Sequence, residues 1–165
     1  MTGKLRIREL AELAVLCALM VATKEAMAVL PNINLVTLLI VLGVQFFGAH
    51  ALYAVFSFTI IEICIYGFGI WTVMYIYVWP LIALAALLFR KTESRLFWAM
   101  FSGICGLCFG AACAVPYLFL GGIKTAVSWW VAGIPFDLIH GVSNAVLTFV
   151  LLPPLKRLSE KIRQK

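Results

Sequence analysis

The sequence predicts an all-α membrane protein: a six-helix transmembrane bundle with both termini cytoplasmic. Three observations carry that prediction. Apolar residues make up 64% of the 165 residues and charged ones only 12%, against roughly 45–50% and about 25% in a soluble domain; mean hydropathy is +1.07. The apolar residues run in stretches of about the 20 residues that one helical crossing needs, and six crossings would take roughly 120 of the 165 positions. The basic residues behind the net charge of +6 gather beside alternate ends of those stretches, where they set topology rather than bind nucleic acid. The remainder cannot house a soluble catalytic or nucleotide-binding domain, and no GxxxxGK[ST] loop occurs. The chain is therefore expected to be no enzyme, with no ATPase of its own.

The chain divides into one membrane domain, residues 1–165, with spans at about 8–29, 34–49, 51–67, 70–89, 95–120 and 128–152. Pro31-Asn32, Gly67 to Gly69, Arg90 to Arg95 and Gly121-Gly122 punctuate them. The first stretch has the position of a signal peptide, but Glu9, Glu12, Lys24 and Glu25 interrupt it and no small-residue cleavage site follows. It is read as a span. Lys4, Arg6 and Arg8 precede it; Arg90, Lys91 and Arg95 join the fourth span to the fifth; Lys156, Arg157, Lys161, Arg163 and Lys165 end the chain. Of the 13 Lys and Arg residues only Lys24 and Lys124 fall elsewhere, which places both termini on the cytoplasmic side. Residues 155–165, after Pro153-Pro154, carry Leu155, Leu158 and Ile162 among basic residues, the pattern of a short surface helix under anionic headgroups.

Cys17, Cys64, Cys105, Cys108 and Cys113 lie inside apolar segments, where a thiol behaves as a small hydrophobe. Cys105 and Cys108 have CxxC spacing, so a membrane thiol oxidoreductase is a rival reading; catalysis would require accessible, activated thiolates. A stand-alone secondary carrier is a second rival, but internal repeats and broken paired helices do not show.

Two stripes of small residues stand out. Ala14, Ala18 and Ala22 recur every four residues in the first span, flanked by Ala11 and Ala26; Gly103, Gly106, Gly110 and Ala114 follow a similar spacing in the fifth. Either surface lets a helix approach closely. Internal packing is the expectation for the glycines, and a partner helix or internal packing for the alanines.

Polar and ionisable groups in a span are expensive and mark candidate sites. Here they lie toward the outer half: Lys24 and Glu25, Asn34 beside the first outer turn, Glu62, and the set Asp137, His140 and Asn144. The last three fall at i, i+3 and i+7, on one helix face over about 10 Å of rise. They form either the wall of a ligand site or a ladder of hydrogen bonds between helices. No HxxxH, HExxH or paired-carboxylate spacing supports a metal. Trp71, Tyr75 and Trp79 repeat every four residues in the fourth span, and Trp129-Trp130 open the sixth from the same side. Stacked rings suit a flat or bulky organic ligand; an interfacial belt also uses Trp.

Together these residues resemble the substrate-binding S components of energy-coupling factor (ECF) vitamin transporters, over the whole chain. Ala14-x-x-x-Ala18-x-x-x-Ala22 is similar to the element by which that family's first helix docks on a transmembrane coupling protein. Gly133-Ile-Pro-Phe-Asp137-Leu-Ile-His140-Gly-Val-Ser-Asn144 is similar to its sixth-helix segment facing the vitamin pocket. The resemblance implies a multi-pass protein of the bacterial cell membrane that captures a vitamin outside and topples with it. A coupling protein and two ABC ATPases, which use ATP and Mg, supply the work, and the chain itself binds no cofactor. Asn34, Glu62, Trp71, Tyr75, Trp129, Asp137, His140 and Asn144 are the expected substrate contacts; Ala14, Ala18 and Ala22 the docking contacts. The segments from Leu30 to Leu39, from Tyr66 to Trp71 and from Tyr75 to Trp79 most resemble a branch associated with cobalamin. Pantothenate, a pyridoxine-type vitamin, riboflavin and folate are the alternatives. Few cationic groups favour a large amphipathic ligand over a polyanion.

Overall fold

The computed structural model describes residues 6–164; Lys4 and Lys165, counted above toward the basic termini, lie outside them. The described residues are almost wholly helical, with no strand among them. The elements are α1 (Ile7–Ala26), α2 (Val36–Phe47), a 3-10 turn (Gly48–His50), α3 (Ala51–Tyr66), α4 (Ile70–Leu88), α5 (Arg95–Leu107), α6 (Phe109–Cys113) and α7 (Val115–Arg163). Three stretches are long and apolar enough to cross a membrane: Val36–Tyr66, Ile70–Leu88 and Val115–Arg163. The first of these is interrupted at Gly48, whose φ of 57° ends α2. Helix α1 has 20 residues, but Arg8, Glu9, Glu12, Lys24 and Glu25 dilute its two ends.

Helix α2 lies at the centre, with every residue from Val36 to Val44 buried. Around it α1 buries one stripe, Leu13, Leu16, Cys17 and Met20, and α3 buries Ala54, Val55, Phe58 and Glu62. Their opposite faces, rich in Ile, Val, Leu and Phe, are exposed. A chain that leaves so many large apolar side chains outside is matched to a lipid surround, not to water.

Two features depart from the expected elements. The stretch 95–120 is three helical pieces rather than one, with breaks at Cys108 and Ala114. At the first break the Gly110 N–H donates to the Asp137 carboxylate (2.9 Å), a side-chain acceptor reaching in where the helical ladder is interrupted. Pro116, which has no N–H to give, follows the second. The predicted separate tail helix is instead the last part of α7, which continues through Pro153 and Pro154 to Arg163 and is broken only at Gly122 (φ 74°). Tertiary contacts hold that end: Arg163 donates to the Phe46 carbonyl (3.2 Å), pairs with Glu12 (3.5 Å) and lies over the Phe47 ring.

Arg8 donates to the Ile162 carbonyl (2.8 Å), so the two ends of the described chain meet. The same end gathers Arg163, the Lys156–Glu93 ion pair and Arg95, which lies over the Phe149 ring (4.4 Å). The opposite end carries Lys24, Glu25, Glu62 and Tyr66.

Candidate functional site

Helix α4 presents Trp71, Tyr75 and Trp79 at one-turn intervals because i and i+4 share a helix face. Their rings meet edge to face, with centroids 5.3 and 5.5 Å apart. The series extends at both ends. Tyr66 of α3 meets Trp71 at 6.3 Å. Phe109 of α6 meets Trp79 at 5.0 Å and His140 of α7 at 4.9 Å. Phe58 closes the side of Trp79 at 6.0 Å. A column of six rings thus runs from the end opposite the termini into the bundle and stops on an imidazole. Edge-to-face pairs of this kind contribute about 0.5–1.5 kcal/mol each beyond area burial.

An ionic cluster stands at the mouth of the column. Lys24 pairs with Glu62, which is completely buried, and with Glu25 at 3.3 Å. The Tyr66 hydroxyl donates to Glu25, and the Lys24 ammonium lies 4.7 Å from the Tyr66 ring centre. One Lys–carboxylate network therefore joins α1 to α3 beside the outermost ring. Gly67 (φ 76°) and Gly122 (φ 74°) form the turns at this end, each in a left-handed conformation with open space where a side chain would begin. Only glycine adopts such a backbone at little cost.

At the deep end Asp137, His140 and Asn144 share one buried face of α7, exposed by 5%, 2% and 2%. Asp137 accepts from Gly110, as above, and the Asn144 amide donates to the Thr37 hydroxyl of α2 (3.2 Å). His140 differs: neither ring nitrogen has a partner, and Trp79 Nε1, Asp137 Oδ2 and Thr148 Oγ1 are likewise buried without one. Buried polar atoms are normally paired, since an unmade bond costs about 1–3 kcal/mol. Two of them, Trp79 Nε1 and the His140 ring, lie on the aromatic column itself, and polar atoms set in an aromatic wall are the composition of a ligand site. The site is filled by its own side chains, so a ligand reaches it only as the column opens.

Six of the expected substrate residues are thereby placed in or beside one assembly: Glu62, Trp71, Tyr75, Asp137, His140 and Asn144. Two are not. Trp129 stacks on Tyr117 (4.9 Å, 27° between planes), and Asn34 accepts from the Val36 N–H (3.0 Å), satisfying the first turn of α2. Sequence reasoning missed Phe109, the bridge between α4 and α7, and Tyr66. It also left out Thr148, although that residue continues the 137-140-144 stripe by one turn. All five cysteines are free thiols, with Cys105 half-buried and Cys108 exposed. Among the described residues no group of three or more His, Cys, Asp or Glu is arranged to hold a metal ion.

The alanine and glycine stripes have separated. Ala11, Ala14, Ala18, Ala22 and Ala26 are all exposed. Gly103 and Gly106 are buried against α7; a Cβ on Gly106 would lie 2.7 Å from the Gly141 backbone, and one on Gly103 3.1 Å from the Ala145 Cβ. Comparison with protein-family models, curated proteins and solved structures found no match.

Proposed function

We propose that this chain is the substrate-binding subunit of an ATP-driven, ECF-type vitamin importer in a bacterial cell membrane. On this reading it crosses the membrane six times with both termini cytoplasmic, and the mouth of the ring column faces outward. The observation that carries the proposal is that column, ending on a buried imidazole with both nitrogens unpartnered. Its ligand is an organic molecule with a large apolar face and a few hydrogen-bonding groups. Cobalamin is the first candidate; pantothenate, a pyridoxine-type vitamin, riboflavin and folate follow. Lys24, the cation that the described residues place beside the column, is already engaged by two carboxylates, which argues against a polyanion.

The ligand stacks on Trp71 and Tyr75 and takes directional hydrogen bonds from His140 and Asn144, with Asp137 above them, nearer the mouth, and Glu62 at the rim. Opening requires the Lys24–Glu62–Glu25–Tyr66 network to part and the Gly67 and Gly122 turns to swing. Inward release needs work from outside the chain, because a ligand alone shifts an orientation only by its differential affinity. A coupling protein and two ABC ATPases using ATP and Mg supply it. The uncovered alanine stripe of α1 is the surface on which the coupling protein docks; Ala14, Ala18 and Ala22 let a partner helix come close.

A second reading is favoured by the Asn144–Thr37 and Asp137–Gly110 bonds: the polar face of α7 serves only to tie helices together. A binding titration separates the two. His140→Ala breaks no protein hydrogen bond, so unaltered vitamin binding by a folded variant supports the tie, and a loss of tenfold or more supports the site. Uptake without ATP, or activity abolished by Cys105→Ser, would point instead to a carrier or a thiol enzyme.

A further inference from the structure

Away from the ring column, where the two ends of the chain meet, a cleft of about 340 Å³ opens between the 89–94 turn and the last third of α7. Its rim carries three cations, Arg95, Lys156 and Arg157, and three acceptors, Glu93, Glu160 and Gln45. Leu152, Pro153 and the buried Trp98 make its apolar wall. The wall is fixed: Trp98 Nε1 donates to the Thr92 carbonyl (2.8 Å), and Ser94 accepts from the Phe97 N–H to start α5 (3.3 Å). The rim is not. Among the described residues Lys156 is held only by Glu93, whose side chain is 80% exposed, and so solvent-exposed a pairing contributes little. Arg95 rests on the Phe149 ring, Arg157 is exposed, and Gln45 Oε1 is buried without a partner.

We infer that this cleft binds a glycerophospholipid headgroup. The phosphodiester sits among Arg95, Lys156 and Arg157, and a hydrogen-bond donor on the headgroup, a hydroxyl or an ammonium, faces Gln45, Glu93 and Glu160. Three considerations favour a lipid over a free anion. Basic pockets between helices at the cytoplasmic side are suited to lipid phosphates. The cleft joins charged rim to apolar wall within one volume, as a headgroup joins its glycerol. Phe149 lies exposed under the Arg95 guanidinium, and exposed Leu96 and Leu158 are the chain neighbours of Arg95 and Arg157, so apolar surface for acyl chains stands close to the cleft's cations. The carboxylates, unfavourable toward bare phosphate, become useful when the headgroup also brings donors. The inference stands whether or not the chain carries a vitamin.

Native mass spectrometry of the full-length protein in detergent tests it. The protein is exposed in separate arms to phosphatidylglycerol, phosphatidylethanolamine and inorganic phosphate. Wild type is expected to retain one phospholipid, and Arg95→Gln/Lys156→Gln/Arg157→Gln to retain it at least tenfold less. Lys91→Gln/Lys124→Gln/Lys161→Gln, which removes the same charge outside the cleft, is expected to behave as wild type. Should the cleft variant not fold, Arg157→Gln alone, which breaks no ion pair, is expected to lower retention about threefold. Preference for phosphatidylglycerol assigns the donor as a hydroxyl and preference for phosphatidylethanolamine as an ammonium. Retention of phosphate without lipid, equal loss in both triple variants, or undiminished retention by Arg157→Gln would overturn the assignment.

Discussion

The alanine stripe of α1 and the glycine stripe of α5 have nearly the same spacing and the same capacity for close approach, yet one faces outward and the other is sealed. The difference lies in what stands opposite. Helix α7 answers Gly103 and Gly106 with Gly141 and Ala145, leaving no room for a single added carbon at Gly106. Nothing among the described residues answers Ala14, Ala18 and Ala22, because α1 is anchored by its other side, where Leu13, Leu16, Cys17 and Met20 are buried. A small-residue stripe is thus a surface in waiting, and only its complement says whether it is already used.

The comparison requires α1 to be held entirely from its inner face, and the largest expected effect tests that. Lys24→Met leaves the fully buried Glu62 without its counter-charge, and breaking a buried pair from one side costs about 3–5 kcal/mol. A sharp fall in the thermal unfolding midpoint in detergent is expected; an unchanged midpoint would mean that the ion pair does not hold α1. Next comes Gly106→Leu, which drives a side chain into the Gly141 backbone and is expected to cost about 1–3 kcal/mol or more, read as a lowered midpoint. Asn144→Ala leaves the Thr37 hydroxyl unpartnered, an expected loss of about 1–3 kcal/mol. His140→Ala, one turn away, forfeits no hydrogen bond but empties a buried site packed on Phe109, so its midpoint is expected to fall through lost packing alone. The smallest effect on stability is expected from Ala18→Trp: the midpoint stays within about 0.5 kcal/mol of wild type, as for an exposed site, while co-purification with the proposed coupling protein is lost. A destabilisation matching that of Gly106→Leu would show that the alanine stripe is packed after all.

Much of the helical layout was legible because apolar run length and turn residues report it directly. The α4 rings and the α7 stripe came out on single faces because helical periodicity is local. What stayed hidden is contact between distant segments. The α5–α6 break depends on Asp137, 27 residues from Gly110, and that break presents Phe109 to both Trp79 and His140. Glu62 read as a rim residue; its partner Lys24 lies on another helix, and no spacing rule joins them. Trp129 and Asn34 meet Tyr117 and the Val36 N–H, contacts that composition does not disclose. Pro153-Pro154 read as a stop, and the contacts of Arg163 with Glu12 and Phe46 keep the helix going.

Titration of the purified wild-type protein and His140→Ala with cobalamin, then with pantothenate, pyridoxine, riboflavin and folate, bears on the ring column itself. Tight 1:1 binding of one vitamin by wild type, weakened at least tenfold in a His140→Ala variant that remains folded, is the expected result. Binding of none of them, or equal binding by both proteins, would contradict the column as a substrate site.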